Sequence, residues 1–382
     1  MIMFISLVSG CWSSAEMDEL AFVMGIAVDQ NTGKEKYKVT VQIANPGESK
    51  GSQSEESSSG GGIGYINYTE SGIGIQSAIS KLFAHVDRRL YTGHDQAIVI
   101  GYDVAENDIS SILDALIRSS DGRFTILLFI AEGSAEEVLG IESDMERIPI
   151  VNLKNMIESQ ENYGSIVSAD IRSFLTDTLC ETKASAIPLI GTVINSQGKE
   201  EAVIDRMAVF KNGAICTTLS SKECQSMCIV QGKGKNGFIE IDYEGSYVEL
   251  KINSSKSKIT PEFNDSGLEK IIVKIDIGSS VIDTDADLDI LSVDVRDQIA
   301  AVAEAELLTQ MKNTLEHTQD YGADIFGFGE KLKAYHPRKS KDFISDWDKV
   351  YSELNVEFDI CFDILSSGSI LRPPGPNSID GE

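Results

Sequence analysis

The chain has 382 residues, 42% of them hydrophobic, with 60 acidic against 33 basic side chains and a formal charge of -27. Length and apolar content together exclude a disordered chain and suggest two or three domains with sizeable cores. The charge argues against nucleic acid or anionic lipid as a direct partner, because either would repel the chain as a whole.

Residues 1–12 read MIMFISLVSGCW, an apolar run ending in Val8-Ser9-Gly10-Cys11. Small residues ahead of a cysteine are the pattern of a bacterial lipoprotein signal: the peptidase needs a narrow extended backbone, and the sulfur carries the diacylglyceryl group. Residues 1–10 are thus expected to be a signal peptide, and Cys11 to carry the diacylglycerol and an N-acyl chain. Two acyl chains anchor stably where one holds marginally, each buried CH₂ contributing roughly 0.8 kcal/mol. The chain is therefore expected outside the cytoplasm, tethered to a lipid bilayer. An ordinary buried segment with a chance cysteine is the competing reading. No Lys or Arg precedes Cys11, although a secretory signal normally has one, so the natural start is expected upstream of Met1. The longest later apolar run, residues 124–131, is far below the ~20 residues of a membrane helix.

Residues 20–29 and 36–44 read as two strands around the turn Gln30-Asn31-Thr32-Gly33. In the second, Tyr37, Val39, Val41 and Ile43 alternate with Lys38, Thr40 and Gln42, so one face is buried and one is wet. Residues 47–62 have too few apolar side chains to offset ordering entropy and are expected to be a mobile loop. A strand at 65–69 precedes a helix whose stripe is Ile75, Ile79, Leu82, Phe83 and Val86. A strand at 96–101 leads to a helix begun by Asp108, with Ile109, Ile112, Leu113, Leu116 and Ile117 on one face. A strand at 123–131 is too apolar for a sheet edge. This alternation is an α/β layer pattern, made mixed by the opening hairpin. Helices near 151–160 and 169–178 and a strand ending near Asn195 complete an N-terminal domain, 11–196.

Residues 197–264 offer strands at 206–211, 214–219, 238–241, 247–252 and 256–261 and a helix at 221–230, a small α+β domain. A C-terminal α+β domain, 265–370, opens on a strand at 270–277 and a long helix at 294–319. The ridge Ile299, Ala303, Leu307, Met311, Leu315 drifts round that helix, which is therefore expected to pack on more than one side. Helices at 325–335 and 343–351 and a strand at 353–365 follow; residues 371–382, with three prolines, read as a disordered tail. The expected fold class is α+β or mixed α/β, with three domains that each have a mixed or antiparallel sheet and packed helices.

Recognisable enzyme chemistry is not found. Gly232, Gly234 and Gly237 have dinucleotide-loop spacing, but a helix precedes and a strand follows, the reverse of what a pyrophosphate cradle needs. Asp283, Asp285, Asp287 and Asp289 alternate like calcium ligands, yet Leu288 stands where the sharp turn needs Gly. Cys224 and Cys228 lack further zinc ligands at the right spacing and read as semi-buried thiols. Two clusters resist a bland reading. One is Asp87-Arg88-Arg89-Leu90-Tyr91-Thr92-Gly93-His94, an anion site or, preferably, a structural ion-pair and cap cluster. The other is Asp324-Ile325-Phe326-Gly327-Phe328-Gly329-Glu330-Lys331, with glycines set between aromatic residues.

Taken together these segments resemble the Ger(x)C lipoproteins, the C subunits of spore nutrient germinant receptors. The resemblance rests on Gly10-Cys11-Trp12, on ELAFVMGIAVD at 19–29, YKVTVQIANP at 37–46, RRLYTGH at 88–94, RMAVFKNG at 206–213, and most strongly on DIFGFGEK at 324–331 with Trp347-Asp348. Departures are Thr92, where the family has Trp, and Ser13-Ser14-Ala15, where an acidic or polar residue and a basic pair are usual. The resemblance implies a non-enzymatic three-domain protein with no cofactor beyond the lipid on Cys11. It further implies a place on the outer face of the spore's inner membrane, beside a polytopic A subunit and an integral-membrane B subunit. Arg88, Arg89, Tyr91, Gly93, His94, Asp324, Phe326, Gly327, Gly329 and Trp347 are expected to hold the folded shape or the partner-facing surface. The alternative is a lipid-anchored solute-binding protein of a transporter, although no internal repeat of two lobes is visible. Direct binding of a small molecule is left open.

Overall fold

The computed structural model describes residues 19–45, 64–119, 123–265, 267–285, 288–341 and 343–366. Cys11 and the signal, the expected loop at 47–62 and the tail at 371–382 lie outside the described residues.

The first sheet contains β1 (Leu20–Gln30), β2 (Tyr37–Ala44), β3 (Tyr65–Gly72), β4 (Arg89–Tyr91), β5 (Ala97–Gly101), β6 (Leu127–Ala131), β7 (Ser185–Ile194), β8 (Glu200–Lys211) and β9 (Ala214–Leu219). Their order is β3-β2-β1-β5-β6-β7-β8-β9, with the short β4 beside the start of β1. The centre, β1-β5-β6-β7, is parallel, and both flanks are antiparallel hairpins. The mixed sheet expected from the opening hairpin is present.

Period-2 alternation splits the core cleanly. Ile26 and Val28, Ile98 and Ile100, and Leu128 and Ile130 face the helices Ile75–Leu82, Ser110–Ser119 and Ile171–Leu179. Their neighbours Ala27, Val99 and Phe129 face the helices Pro149–Asn162 and Ser221–Val230. A central strand buried on both faces has to be apolar throughout, which is why β5 and β6 read as unbroken hydrophobic runs.

The second sheet is β10 (Phe238–Tyr243), β11 (Ser246–Asn264), β12 (Gly267–Thr284) and β13 (Val356–Ser366), in that order, with β13 parallel to β12. The long helix Val293–Asp320 buries Ile299, Ala303, Leu307, Met311 and Leu315 against the second sheet and the neighbouring helices. It therefore packs on more than one side, as its drifting ridge predicts.

The division into three sheets is corrected to two among the described residues. Strands β8 and β9, placed in a middle domain by the boundary at 197, extend the first sheet; β10 and β11, placed in that same domain, share a sheet with the C-terminal strands. The physical reason is that turn chemistry resembles linker chemistry. Asn195 Oδ1 accepts from the N–H groups of Gln197 and Lys199, and Gly198 has φ +77°, so Asn195-Ser196-Gln197-Gly198 is a tight hairpin turn. At the second expected boundary, Asn264 pairs with Gly267 at the end of the β11–β12 hairpin. The separate strands expected at 247–252 and 256–261 are one strand, with a register shift between Ile252 and Ser254.

Candidate functional site

The strongest sequence motif folds into a closed polar knot. The long helix ends at Asp320, and Asp324 follows in a turn, 1% exposed. Its Oδ1 accepts from the Gly327 N–H at 2.8 Å; its Oδ2 accepts from the Gly329 N–H at 2.8 Å and from Trp347 Nε1 at 3.1 Å. Burial pushes the carboxyl up to about 6, against the pull of these N–H donors, so it is ionised at neutral pH. Phe326 and Phe328 stack at 5.3 Å between centroids, and Trp347 and Tyr351 extend the aromatic layer. The knot also collects distant parts of the chain. Asp324 O accepts from Ala184 N–H at 3.0 Å, Ile325 O accepts from Gln231 Nε2 at 2.8 Å, and Tyr351 Oη bonds Thr318 Oγ1 at 2.7 Å. It therefore joins the entry to β7, the end of the helix Ser221–Val230 and the long helix. Asp324, Phe326, Gly327, Gly329 and Trp347 are all buried in the isolated chain.

The second motif divides. Tyr91 and His94 pack with Phe22 of β1, the three ring pairs lying 5.4 to 5.9 Å apart. Gly93 is buried under this cluster, where an added Cβ would lie 2.5 Å from the Tyr91 ring. Arg88 and Arg89, in contrast, are exposed and form no ion pair with a described residue. The expected structural ion-pair cluster does not match the placement of these two arginines. We expect Arg89→Ala to change stability by no more than about 0.5 kcal/mol in denaturant melts, as for other surface positions.

Sequence reasoning stops one residue short of the unusual carboxyl here. Asp95 is 5% exposed, and its Oδ1 has no hydrogen-bond partner among the described residues. Burial alone pushes it up to about 8. A carboxyl raised above its ordinary value contributes stability that is fully present below pH ~4 and is lost as pH rises through about 8. Wild type is therefore expected to lose a few kcal/mol of stability relative to Asp95→Asn across that window. Paired urea melts from about pH 4 to about pH 8.5 check this, and parallel curves would contradict it. No periodicity signal marks Asp95; only its place just ahead of the apolar strand β5 could have hinted at burial.

Another network has no counterpart in the sequence motifs. His317 on the long helix bonds Thr217 Oγ1 of β9 through Nε2 at 2.8 Å and Glu223 Oε1 through Nδ1 at 2.5 Å. Glu223 Oε2 in turn accepts from the N–H and hydroxyl of Ser220, capping the helix Ser221–Val230. Burial opposes ionisation of Glu223, but these hydrogen bonds from Ser220 and His317 outweigh it and hold the carboxyl below its usual range. The order hydroxyl–imidazole–carboxylate is that of a hydrolase relay, but each group has a structural partner: the chain links the edge of the first sheet to two helices.

The weaker motifs take ordinary places. Asp285 Oδ1 accepts from Tyr247 N–H and Asp289 Oδ1 from Leu291 N–H, whereas Asp287 lies outside the described residues. Gly232, Gly234 and Gly237 connect a helix to β10, the order expected of a plain connection. Cys224 and Cys228 are fully buried, and burial pushes the Cys228 thiol up to about 12. Among the described residues no group of three or more His, Cys, Asp or Glu is placed to hold a metal ion, and no helix is long and apolar enough to cross a membrane.

Comparison with known proteins gives a consistent result. Residues 13–192 match the spore germination protein N-terminal domain, and residues 205–368 match the spore germination B3/GerAC-like C-terminal domain. Spore germination protein B3 of Bacillus subtilis is 26% identical over 377 residues, with 97% of each chain covered. Spore germination protein KC of the same organism is 26% identical over 373 residues, covering 92% of this chain and 90% of that one. The crystal structure of the GerBC protein is similar in fold, with a TM-score of 0.55 at 21% identity, over 92% of this chain and 100% of that one. With both domains matched in order, buried knot and aromatic cluster included, the chain belongs to the Ger(x)C family of spore germination proteins.

Proposed function

We propose that this chain is the non-catalytic, lipid-anchored C subunit of a spore nutrient germinant receptor, held by Cys11 on the outer face of the inner membrane beside A and B membrane subunits. The observation that carries this reading is the end-to-end match to spore germination proteins through both family domains. The geometry is compatible with it. Two sheets share one continuous core, and the polar clusters that look chemical are spent on internal bonds.

The exposed arginines give the anchored molecule an orientation. Arg89 pairs across the sheet with Leu20, and Leu20 is nine residues after Cys11. Nine extended residues span at most about 32 Å, so an anchor at Cys11 would hold Leu20, and Arg89 paired with it, within about that distance of the bilayer. Within that distance the two arginines could pair with carboxylate groups of a membrane subunit. Arg88→Glu with Arg89→Glu is expected to leave the melting temperature unchanged while lowering the share of the chain recovered with its membrane partners. Full recovery would remove the arginine pair from the interface.

The anchor is tested by fractionating spores that express Cys11→Ala, which is expected to move the protein from the membrane pellet to the soluble fraction. Retention at the wild-type level after a high-pH wash would mean that another anchor exists. The function is tested by deleting the gene and challenging spores with a nutrient panel. Loss of the response to one nutrient or set, with germination by non-nutrient triggers intact, is expected; an unchanged response to every nutrient would contradict the reading.

A further inference from the structure

A cavity of about 130 Å³ lies under the helix Ile75–Leu82, on the first sheet. Its buried wall is apolar, formed by Val23, Ile98 and Ile126, while Gln76 and Ser80 on the helix are exposed at its rim. Into this wall is set Asp95, 5% exposed, with Oδ1 lacking any hydrogen-bond partner among the described residues. Its backbone is fixed, because Asp95 N–H donates to Thr92 O at 3.1 Å. Buried polar atoms without partners are rare in native proteins, and each calls for an explanation. Among the described residues Arg123 is the other charged side chain lining the cavity; it is exposed and forms no ion pair with Asp95.

We propose that this cavity is a binding site for a small primary ammonium with an apolar body of about four or five carbons, comparable in bulk to the benzene that fills a cavity of about 150 Å³. The ammonium pairs with Asp95 Oδ1, and the hydrocarbon rests on Val23, Ile98 and Ile126. The chemistry selects this class. A carboxyl in an apolar wall that ionises on binding pairs with a cation carrying several N–H donors and disfavours an anion. Thr92, also in the lining, offers a hydroxyl to a remaining N–H. A water molecule needs about two to four polar partners, which an apolar wall supplies poorly.

A balanced proton count follows. Burial pushes Asp95 up to about 8, so the empty site holds a proton on that carboxyl near neutral pH. Entry of an ammonium ion favours the carboxylate, and the Asp95 proton leaves to solvent as the ion pair forms. This site goes beyond the receptor reading: it belongs to this chain alone and needs neither membrane subunit.

The test uses the purified full chain near neutral pH with isobutylammonium chloride and with isobutanol, which has nearly the same shape but no charge. Calorimetry in two buffers of different ionisation enthalpy reads affinity and proton release together. Isobutylammonium is expected to bind at least tenfold more tightly than isobutanol, with net proton release. Asp95→Asn is expected to lose at least tenfold in ammonium affinity while keeping that for the alcohol. Ile79→Phe, which fills the lining without touching the carboxyl, is expected to abolish binding of both. Equal binding of the two probes, ammonium binding unaffected by Asp95→Asn, or no heat and no rise in melting temperature with either probe at tens of millimolar would each overturn the proposal.

Discussion

Asp324→Ala is expected to be the most damaging single substitution in the described part of the chain. Truncation leaves the N–H groups of Gly327 and Gly329 and the indole N–H of Trp347 buried without an acceptor. Each unsatisfied buried donor costs about 1–3 kcal/mol, so the loss is roughly 5 kcal/mol, comparable with the whole stability of many domains. Little folded protein should accumulate, and a denaturant midpoint should fall steeply if any is recovered. Trp347→Phe removes one donor only, and a loss of about 2 kcal/mol is expected. Near-equal stability of Asp324→Ala and wild type would mean that the knot does not hold these elements together.

The two glycines of the same motif separate two physical reasons for having no side chain. A Cβ on Gly329 would lie 2.6 Å from the Trp347 indole and 2.7 Å from Thr182 Cβ. Gly329→Ala must therefore push the indole off Asp324, and overpacking plus the lost charged hydrogen bond together cost about 3–5 kcal/mol. Gly327 is the opposite case. Its backbone is left-handed at φ +76°, and the nearest atom to an added Cβ is Glu330 Oε2 at 3.5 Å. Gly327→Ala meets no clash and is expected to cost only the conformational penalty, about 1–2 kcal/mol. Gly327→Asn should recover part of that, since Asn tolerates this backbone region. Urea melts of the three variants give the ranking; Gly327→Ala falling further than Gly329→Ala would reverse the assignment.

Much of this fold is legible in the sequence because its signals are periodic. Alternation in Tyr37, Val39, Val41 and Ile43 locates β2, but the face expected to be wet is buried at Thr40 and Gln42, which bond Thr69, Asn67 and Leu139 O; the 3.6-residue stripe of Ile109, Ile112, Leu113 and Leu116 locates the helix Ser110–Ser119. The hairpin turns at Asn195 and Asp265 look like domain boundaries because a tight polar turn and a linker use the same residues, and only long-range pairing tells them apart. The buried knot shows the same limit. Its sequence announces a special backbone through Gly327 and Gly329, but the third donor to Asp324 comes from Trp347, 23 residues away. Asp95 carries no periodic signal, only its place ahead of the apolar strand β5, because burial of a single acid depends on what folds over it. The arginine pair misleads for the converse reason: charges side by side in sequence invite a buried ion pair, while the fold leaves both exposed.

Membership of a membrane receptor is tested most sharply by what accompanies the chain out of the membrane. An affinity-tagged copy, expressed at its natural level, would be isolated from detergent-solubilised inner membranes of dormant spores and its partners identified by mass spectrometry. Near-stoichiometric recovery of one polytopic A subunit and one integral-membrane B subunit is expected. Recovery of the chain alone, or together with a transporter permease and its ATPase, would contradict the receptor assignment.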